Sequence, residues 1–300
     1  ELAFTISNAL AYVESAIEKG LDIDQFAPRL SFFFNCHNDF LEEVSKFRAA
    51  RRLWYDLMTN RYQPKNPRSS MLRFHTQVAG VSLTAQQPLN NISRVTIQAL
   101  AAVCGGTQSL HTNSYDEALG LPTEKSATVA LRTQQIIAEE SGVADVVDPF
   151  AGSYHIENLT DEIYAQTMNE IQKIESLGGS MSAIEQGYQQ QEIHTTAYRY
   201  FNEIEKNSRK IVGVNHGVLE EDIKVQPMKL NPKVTEQQHQ RLIETRLSRD
   251  SDNVHRILSS ISEACSTDDN LFPLVIEAVK ADATLGEIMK AMKDVFGTYM

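Results

Sequence analysis

The sequence predicts an α/β fold built on parallel strands, because short aromatic and apolar runs alternate with longer helical patterns. Three runs are predicted as strands, at residues 28–34, 71–77 and 107–113. An apolar helical segment separates the second run from the third. Strand, helix and strand in succession are typical of a parallel sheet with crossover helices.

Each predicted strand carries polar side chains where a packed core strand would carry Val or Ile. Side chains alternate between the two faces of a strand, so Arg73, His75 and Gln77 share one face. The corresponding rows on the other two strands are Arg29, Ser31 and Phe33, and Gln108, Leu110 and Thr112, with His111 and Asn113 opposite. An unpaired buried polar group costs about 1 to 3 kcal/mol. We therefore infer that these rows line a polar cavity that holds a ligand.

The alternative is that these polar residues are core groups with hydrogen-bond partners inside the protein. For a single buried His or Gln, that situation is the more common one. Here three successive strands share the property, and this coincidence favours the ligand-binding cavity.

Composition and charge narrow the class of function. The 300 residues are 42% hydrophobic and 22% charged, which is typical of a globular chain with a large core. The net charge of −11 argues against nucleic acid as a partner. The sequence contains no apolar run of membrane-spanning length and no signal peptide, so we expect no membrane partner and a reduced, cytoplasmic setting.

The cysteines predict neither a disulfide framework nor a zinc site. Cys36, Cys104 and Cys265 are few and widely scattered, and no C-x-x-C pair occurs. Histidines of the later helical segments have no Cys or carboxylate at metal-ligand spacing. We therefore expect no metal ligands in this chain.

The second half of the chain is predicted to be mostly helical. Helical patterns cover residues 126–140, 160–177, 182–204, 235–262 and 284–296. Ser182 with Glu185, and Thr284 with Glu287, have the spacing of a capping box, which predicts two helix starts.

Three shorter segments complete the assignment. Apolar residues repeat at helical spacing from Ile6 to Ile17, and Gly20 is predicted as the C-cap of this helix. Residues 211–214 are predicted as a short strand. Residues 226–233, which include two prolines, are predicted as a linker.

Several motifs resemble the catalytic large subunit of methylmalonyl-CoA mutase. They are APRLSFFF at 27–34, RAARRLW at 48–54, YQPKNPRSSMLRFHTQVAGVSLTAQQPLNNISR at 62–94, GGTQSLHTNSYDEALGLPT at 105–123, EESGVADVVDPFAGSYHIENLT at 139–160 and IVGVN at 211–215. They follow the order of the family over most of the chain. Sister mutases acting on isobutyryl-CoA, ethylmalonyl-CoA or 2-hydroxyisobutyryl-CoA share many of them, so the motifs predict the family and leave the acyl group open.

The resemblance implies a fold and an activity. The fold would be the last three strands of a TIM-type (β/α)8 barrel, with residues 1–123 as the C-terminal part of the acyl-CoA-binding barrel and residues 124–300 as a helical linker and subunit-interface region. The activity would be the interconversion of (R)-methylmalonyl-CoA and succinyl-CoA. In this family, a deoxyadenosyl radical from adenosylcobalamin abstracts hydrogen from the substrate.

The resemblance also implies partners. The family's tyrosine and second histidine beside the reacting carbons, and its cobalamin-binding signature, have no match in these 300 residues. We therefore expect no catalytic residue in this fragment and no activity from it alone. The expected partners are the acyl-CoA substrate, a separate cobalamin-binding small subunit or domain, and a second large subunit.

The residues that match family contact positions fall into two groups. Those on the substrate side are Arg29, Ser31, Phe33, His75, Gln77 and Gln108. Those expected to face the corrin of adenosylcobalamin are Gly80, Glu117, Gly120 and Leu121. A glycine at position 80 would leave room for a flat macrocycle, and a tight turn is the alternative explanation.

Some alternatives stay open at this point. Arg29, Arg48, Arg51 and Arg52 are candidates for the phosphates of CoA, while solvated surface positions are the more common explanation for the last three. The chain could belong to an isobutyryl-CoA or 2-hydroxyisobutyryl-CoA mutase, or to a catalytically silent partner subunit. It could also be an interaction protein whose helical region binds a partner, which would leave the polar strands without a purpose.

Overall fold

The computed structural model describes residues 1–220, 228–229 and 231–298. It has two compact units, Glu1–Met228 and Lys229–Met300, each with its own apolar core. The sequence analysis divides the chain after residue 123 into a barrel part and a helical linker and interface part. That division concerns function, and it stays a prediction.

The first unit is built around a three-stranded parallel sheet, as the sequence predicts. Strands β1 (Phe32–Cys36), β2 (Phe74–Val78) and β3 (Ser109–His111) lie in the order β1-β2-β3. Strand β3 falls inside its predicted run, while β1 and β2 overlap theirs and continue past the predicted ends. The chain is therefore a mixed α/β protein in which most residues are helical.

Eight helices accompany the sheet in the described part of the first unit. They are α1 (Leu2–Glu18), α2 (Ile23–Phe26), α3 (Phe40–Tyr62), α4 (Asn90–Cys104), α5 (Glu124–Glu140), α6 (Tyr154–Ser176), α7 (Gly179–Glu185) and α8 (Tyr188–Glu205). Helix α3 connects β1 to β2, and α4 connects β2 to β3, which is the crossover arrangement of parallel strands. Helices α1 and α6 pack beside α3.

One face of the sheet forms the core. Phe34 and Phe74 are buried, and both rings contact Phe47 of α3. Phe32 packs edge-on against the buried Trp54 at a ring distance of 4.8 Å. These large side chains occupy alternate strand positions, which explains why their neighbours in sequence face the other way.

The opposite face of the sheet is open to solvent in the described part of this unit. Phe33 is 57% exposed, and Ser109 and His111 are exposed as well. His75 and Gln77 are half-buried. The polar row predicted on β2 therefore lines a surface that the described part of the first unit leaves uncovered.

The second unit is helical. It contains α9 (Pro232–Ser248), α10 (Ser251–Ala264), α11 (Leu271–Lys280) and α12 (Leu285–Phe296). Its core forms around Ile257, Ile261 and Ile288. The capping box of Thr284 and Glu287 is present at the start of α12 and confirms that prediction.

Several helix boundaries differ from the predictions. The segment 182–204 divides at Gly187, which has a φ of 74°, and Ser182 lies inside α7, so its predicted role as a helix start is wrong. The segment 235–262 divides before α10, because the side chain of Asp250 caps a new helix by accepting from Asn253 N–H. Helix α11 was missed by the sequence patterns.

Three short segments complete the comparison. Gly20 has a φ of 85° just after α1, as predicted for the residue that ends this helix. The strand predicted at 211–214 is wrong, because only an isolated bridge between Val212 and His216 closes a turn there. Residues 226, 227 and 230 of the predicted linker, which include Pro227, lie outside the described residues, and Pro232 begins α9.

Within the described ranges, no helix combines the length and the apolar character needed to cross a lipid bilayer.

Candidate ligand-binding face

Two rows of side chains cross the open face of the sheet. Each row contains one residue from each of the three strands, paired in register. The register pairs Phe33 with His75 and His75 with Ser109, and we call this row the first rung. Asn35 pairs with Gln77 and Gln77 with His111, which form the second rung. In-register residues of parallel strands share a face, so each rung spans all three strands.

The first rung fixes the orientation of His75. The ring of Phe33 lies 5.2 Å from the imidazole, measured between centroids. Nδ1 of His75 is 2.5 Å from Oγ of Ser109. Nε2 has no hydrogen-bond partner among the residues that the structure describes, so this nitrogen is free for a ligand.

The second rung contains further free polar atoms. Nε2 of Gln77 donates to Oδ1 of Asn113 at 3.0 Å, and Nδ2 of Asn113 donates to the carbonyl of Val78. Within the described chain, Oε1 of Gln77, the side-chain amide of Asn35 and the ring of His111 have no hydrogen-bond partners. This rung therefore offers both donors and acceptors to a bound molecule.

A charge cluster of the buried Lys46 and Glu43 and the exposed Glu1 contacts the backbone at Asn35. Nζ of Lys46 donates to the carbonyl of Asn35 at 2.7 Å and pairs with Glu1 and Glu43. Burial raises the pKa of Glu43. Burial also lowers the pKa of Lys46, but the carboxylates of Glu1 and Glu43 outweigh it, so the net direction is upward and Lys46 stays a cation. The cluster fixes the end of β1 without using the Asn35 side chain.

Arg29 is the free cation among the four arginines considered for phosphate binding. Its side chain is exposed and has no partner in the described residues. The other three are engaged inside the chain: Arg48 by Asp148, Glu157 and Thr160, Arg51 by the carbonyl of Gly105, and Arg52 by Asp161. The sequence analysis favoured solvated surface positions for these three, whereas the structure pairs all three inside the chain and leaves only Arg52 exposed.

Arg29 and Ser31 lie just before β1. Arg29 ends a 3-10 helix, Ala27–Arg29, so the prediction that it shares a strand row with Phe33 is wrong. Pro28 explains this, because its fixed φ suits the first turn of a helix. Ser31 is exposed and lines a cleft of about 300 Å³ with Phe33 and Tyr12.

Gln108 lies on the sheet but outside the two rungs. Its Oε1 accepts from Phe74 N–H at 2.7 Å, and its Nε2 donates to the carbonyl of Gly106. The row of β3 that faces His75 contains Ser109 and His111, so the predicted row of Gln108, Leu110 and Thr112 is on the wrong face. A contact between Gln108 and substrate stays a prediction.

Sequence reasoning thus missed Asn35, Ser109 and His111. Period-two alternation shows which residues within a single strand share a face, as it did for His75 and Gln77. It could not align β3 with β2, because the register between parallel strands is set by their backbone hydrogen bonds.

The residues predicted to face the corrin lie beyond the strand ends. Gly80 begins a 3-10 helix directly after β2. A Cβ at Gly80 would lie 2.9 Å from Nδ2 of Asn113 and 3.7 Å from Cγ of Glu117, so Gly80 and Glu117 are neighbours. Glu117, Gly120 and Leu121 are exposed. Asn113 alone requires a glycine at position 80, and the corrin contact stays a prediction.

Among the described residues, no group of three or more His, Cys, Asp or Glu side chains is arranged to hold a metal ion. The three cysteines are buried and unpaired.

Comparison with known proteins identifies relatives over the whole length of the chain. The chain is 47% identical to the probable mitochondrial methylmalonyl-CoA mutase of Caenorhabditis elegans over 300 residues, and 46% identical to the mouse mitochondrial methylmalonyl-CoA mutase over 301 residues. It is 45% identical to the 2-hydroxyisobutanoyl-CoA mutase large subunit of Aquincola tertiaricarbonis over 301 residues.

These matches cover 100% of this chain but only part of each relative. The chain spans 40% of the nematode and mouse enzymes and 54% of the Aquincola subunit. The family model described as methylmalonyl-CoA mutase matches residues 1–298. The chain therefore belongs to the methylmalonyl-CoA mutase family.

Proposed function

We propose that this chain is part of an adenosylcobalamin-dependent acyl-CoA mutase that interconverts (R)-methylmalonyl-CoA and succinyl-CoA. The observation that carries the proposal is the open sheet face, with free polar atoms on His75 and Gln77 and a free guanidinium on Arg29 at its entrance. This arrangement suits a long ligand that is anionic at one end. Family membership supports an isomerase with an acyl-CoA substrate.

We infer that β1, β2 and β3 are part of a (β/α)8 barrel and that the open face is its interior. Parallel sheets are normally covered on both faces, whereas this sheet is covered on one. Further strands of a complete barrel would cover the other face. In this arrangement residues 1–123 contribute barrel strands, and residues 124–300, which are mostly helical where described, form the linker and subunit interface.

The order of residues along the sheet suggests how acyl-CoA would bind. Arg29 and Ser31 precede β1 and would contact the CoA portion. The two rungs follow in the direction of the strands and would contact the pantetheine, the thioester and the acyl group, with Phe33 as the apolar wall. Neutral donors and acceptors such as Gln77 can orient a thioester without moving a proton. Gln108 would add a contact where β3 begins.

The residues beyond the strand ends fit one face of a corrin. Glu117 has an exposed carboxylate, without a partner among the described residues, that can accept hydrogen bonds from amide side chains of the macrocycle, and Leu121 offers an exposed apolar surface. Gly80 and Gly120 add no side-chain bulk. When bound, adenosylcobalamin would supply the radical that abstracts hydrogen from the acyl group. The role of this chain would be to position the substrate and exclude water.

A cobalamin-binding domain or small subunit and a second large subunit are part of the proposal. The relative from Aquincola is named a large subunit, which supports a two-subunit arrangement. A reducing, cytoplasmic compartment also belongs to the proposal and is supported by the three unpaired cysteines. Several relatives are named as mitochondrial, so a mitochondrial location is the alternative.

A 2-hydroxyisobutyryl-CoA mutase is the second candidate function. The chain is 45% identical to such a subunit and 47% identical to the nematode methylmalonyl-CoA mutase, a difference too small to separate the two substrates. An isobutyryl-CoA mutase is a further alternative. A silent partner subunit is disfavoured because the polar atoms of the open face remain available.

The test is an assay of the complete protein that contains this chain, supplied with adenosylcobalamin and its cobalamin-binding partner. Methylmalonyl-CoA, 2-hydroxyisobutyryl-CoA and isobutyryl-CoA would be offered separately, and products followed by chromatography. We expect isomerisation of methylmalonyl-CoA, a large loss of turnover in Gln77→Ala, and no loss in the control Asn60→Ala on the exposed surface of α3. Absence of cofactor-dependent isomerisation of all three would refute the proposal.

A further inference from the structure

We infer that Asn91 is a positioning residue that holds two turns of the chain at a fixed separation for cobalamin binding. The first, which we call the Gly80 turn, covers residues 79–84 and follows β2. The second, the Glu117 turn, covers residues 114–120 and follows β3. The inference rests on the proposed function, which assigns both turns to the corrin, and adds a residue that acts through them.

The side chain of Asn91 bonds to the backbone of both turns. Asn91 lies in the first turn of α4 and is fully buried. Its Oδ1 accepts from Thr84 N–H at 3.1 Å, and its Nδ2 donates to the carbonyl of Thr84 at 2.9 Å. The same Nδ2 donates to the carbonyl of Tyr115 at 2.9 Å. One buried amide therefore joins the Gly80 turn to the Glu117 turn.

Both bonded positions lie close in sequence to the residues proposed to face the corrin. Thr84 is four residues after Gly80, and Tyr115 is two residues before Glu117. A loop that is not fixed loses conformational freedom when a ligand orders it, and this cost reduces affinity. Because Asn91 bonds both turns, a ligand that contacts both meets groups that are already in place.

The strands have a link of their own that does not use Asn91. Nδ2 of Asn113 donates to the carbonyl of Val78 at 3.0 Å, and the backbone register joins β2 to β3. Loss of the Asn91 side chain should therefore loosen the two turns while the sheet stays in register.

Arg94 extends this network to the motif IVGVN at 211–215, which the proposed function leaves without a role. Nη1 of Arg94 donates to Oδ1 of Asn91 at 2.7 Å and to Oγ1 of Thr84 at 3.0 Å. Its Nη2 donates to the carbonyl of Val212 at 2.6 Å. The motif is therefore bonded to the same network that holds the two turns.

The test measures cofactor affinity in the complete protein that contains this chain, together with its cobalamin-binding partner. Asn91→Ala removes all of the bonds, whereas Asn91→Asp keeps the acceptor for Thr84 N–H and Arg94 but loses both donors. Arg94→Lys is a milder change at a half-buried position. The control Thr160→Val removes a buried hydroxyl of α6 that accepts from Arg48.

Three quantities would be measured for each variant. Absorbance titration gives the dissociation constant of adenosylcobalamin, calorimetry gives that of CoA, and thermal unfolding gives the stability. We expect both Asn91 variants to raise the dissociation constant of adenosylcobalamin at least about fivefold, and Arg94→Lys to raise it less, with CoA affinity unchanged. Thr160→Val should lose stability and keep the wild-type cofactor affinity, which separates positioning from stability.

Unchanged cofactor affinity in whichever of these Asn91 and Arg94 variants fold, or an equal loss of affinity for CoA, would overturn the inference while leaving the proposed mutase intact. Wild-type affinity in Asn91→Asp alone would also overturn it, because the bond to Tyr115 would then not position the turns. A wild type that binds no adenosylcobalamin would overturn the proposed function and this inference with it.

Discussion

Oγ of Ser109 lies 2.5 Å from Nδ1 of His75, so β3 holds the imidazole of β2 in one orientation. The two residues are 34 positions apart in sequence and meet only through the parallel register. Because Nδ1 is engaged by the hydroxyl, Nε2 is the nitrogen presented to a ligand on the open face.

Removal of the Ser109 hydroxyl should therefore weaken acyl-CoA binding. A net hydrogen bond contributes about 0.5 to 1.5 kcal/mol, which corresponds to about a 2- to 12-fold rise in the dissociation constant for Ser109→Ala. Ser109→Thr keeps the hydroxyl in a residue that suits a strand, and it should restore most of the affinity. Titration calorimetry with an acyl-CoA measures the dissociation constants of both variants. Equal affinities of the two variants would show that the hydroxyl does not position His75.

The free guanidinium of Arg29 should contribute to the affinity for CoA. Arg29→Ala is expected to raise the dissociation constant of CoA by about tenfold, because charge-assisted hydrogen bonds are stronger than neutral ones. Arg52→Ala is the matched control, since that arginine is already paired with Asp161. Calorimetry at two salt concentrations should show that CoA affinity depends less on salt in Arg29→Ala than in the wild type, whereas Arg52→Ala should keep the wild-type dependence. Unchanged CoA affinity would remove Arg29 from the site.

Phe33 and Phe34 are neighbours in β1 with opposite environments, and they should separate stability from binding. Phe34 is fully buried and touches Phe47 and Phe74, so Phe34→Ala should lower the free energy of unfolding by about 3 to 5 kcal/mol. Phe33 is largely exposed in this chain, and Phe33→Ala should cost much less. Denaturant unfolding of the 300-residue chain measures the free energy of unfolding of both variants. Similar losses would mean that the open face is covered within this chain.

Gly80 should tolerate no side chain, because of Asn113. In Gly80→Ala the new Cβ would crowd Nδ2 of Asn113, whose partners are Gln77 and the carbonyl of Val78. We expect lower stability together with weaker acyl-CoA binding, since Gln77 would lose its support.

The control for this change is Gly286→Ala in α12. Nothing lies within 4 Å of a Cβ at that position, and alanine is favoured over glycine in helices by roughly 0.5 to 1 kcal/mol. That variant should be slightly more stable by thermal unfolding. A stable Gly80→Ala protein with normal affinity would contradict the crowding argument.

The second unit should lose stability in acid through Glu287. Hydrogen bonds from Arg249 hold the pKa of this carboxyl well below its usual range. A depressed pKa in the folded state stabilises the protein above the unfolded value of about 4.3, and this contribution is lost as the pH falls below it.

Glu287→Gln should therefore flatten this part of the pH dependence while keeping a capping side chain on α12. Hydrogen exchange of the α10 and α12 amides at neutral pH and at about pH 3 would measure how much stability the second unit loses in acid. Glu277→Gln, on the exposed side of α11, is the control and should retain the wild-type slope. If the stability of Glu287→Gln falls with pH as steeply as that of the wild type, other carboxylates cause the loss of stability in acid.

The sequence predicted the parallel α/β class and the polar strands because local patterns carry that information. The alternation of Phe32, Phe34, Phe74 and their polar neighbours is visible in the chain itself. So is the capping box of Thr284 and Glu287, which needs only three residues of spacing. Helix interruptions at Gly187 and Asp250 were not predicted, because the apolar periodicity continues across both.

The sequence by itself thus predicted the family, the parallel α/β class and the polar row of His75 and Gln77 on β2. Only the tertiary structure decided which side chains meet on that face: Ser109 and His111 join His75 and Gln77, whereas Gln108 bonds to the backbone. It also decided that Arg48, Arg51 and Arg52 are engaged internally while Arg29 is free. The physical reason is that interstrand register and ion pairing depend on backbone positions far apart in the chain, which no local pattern encodes.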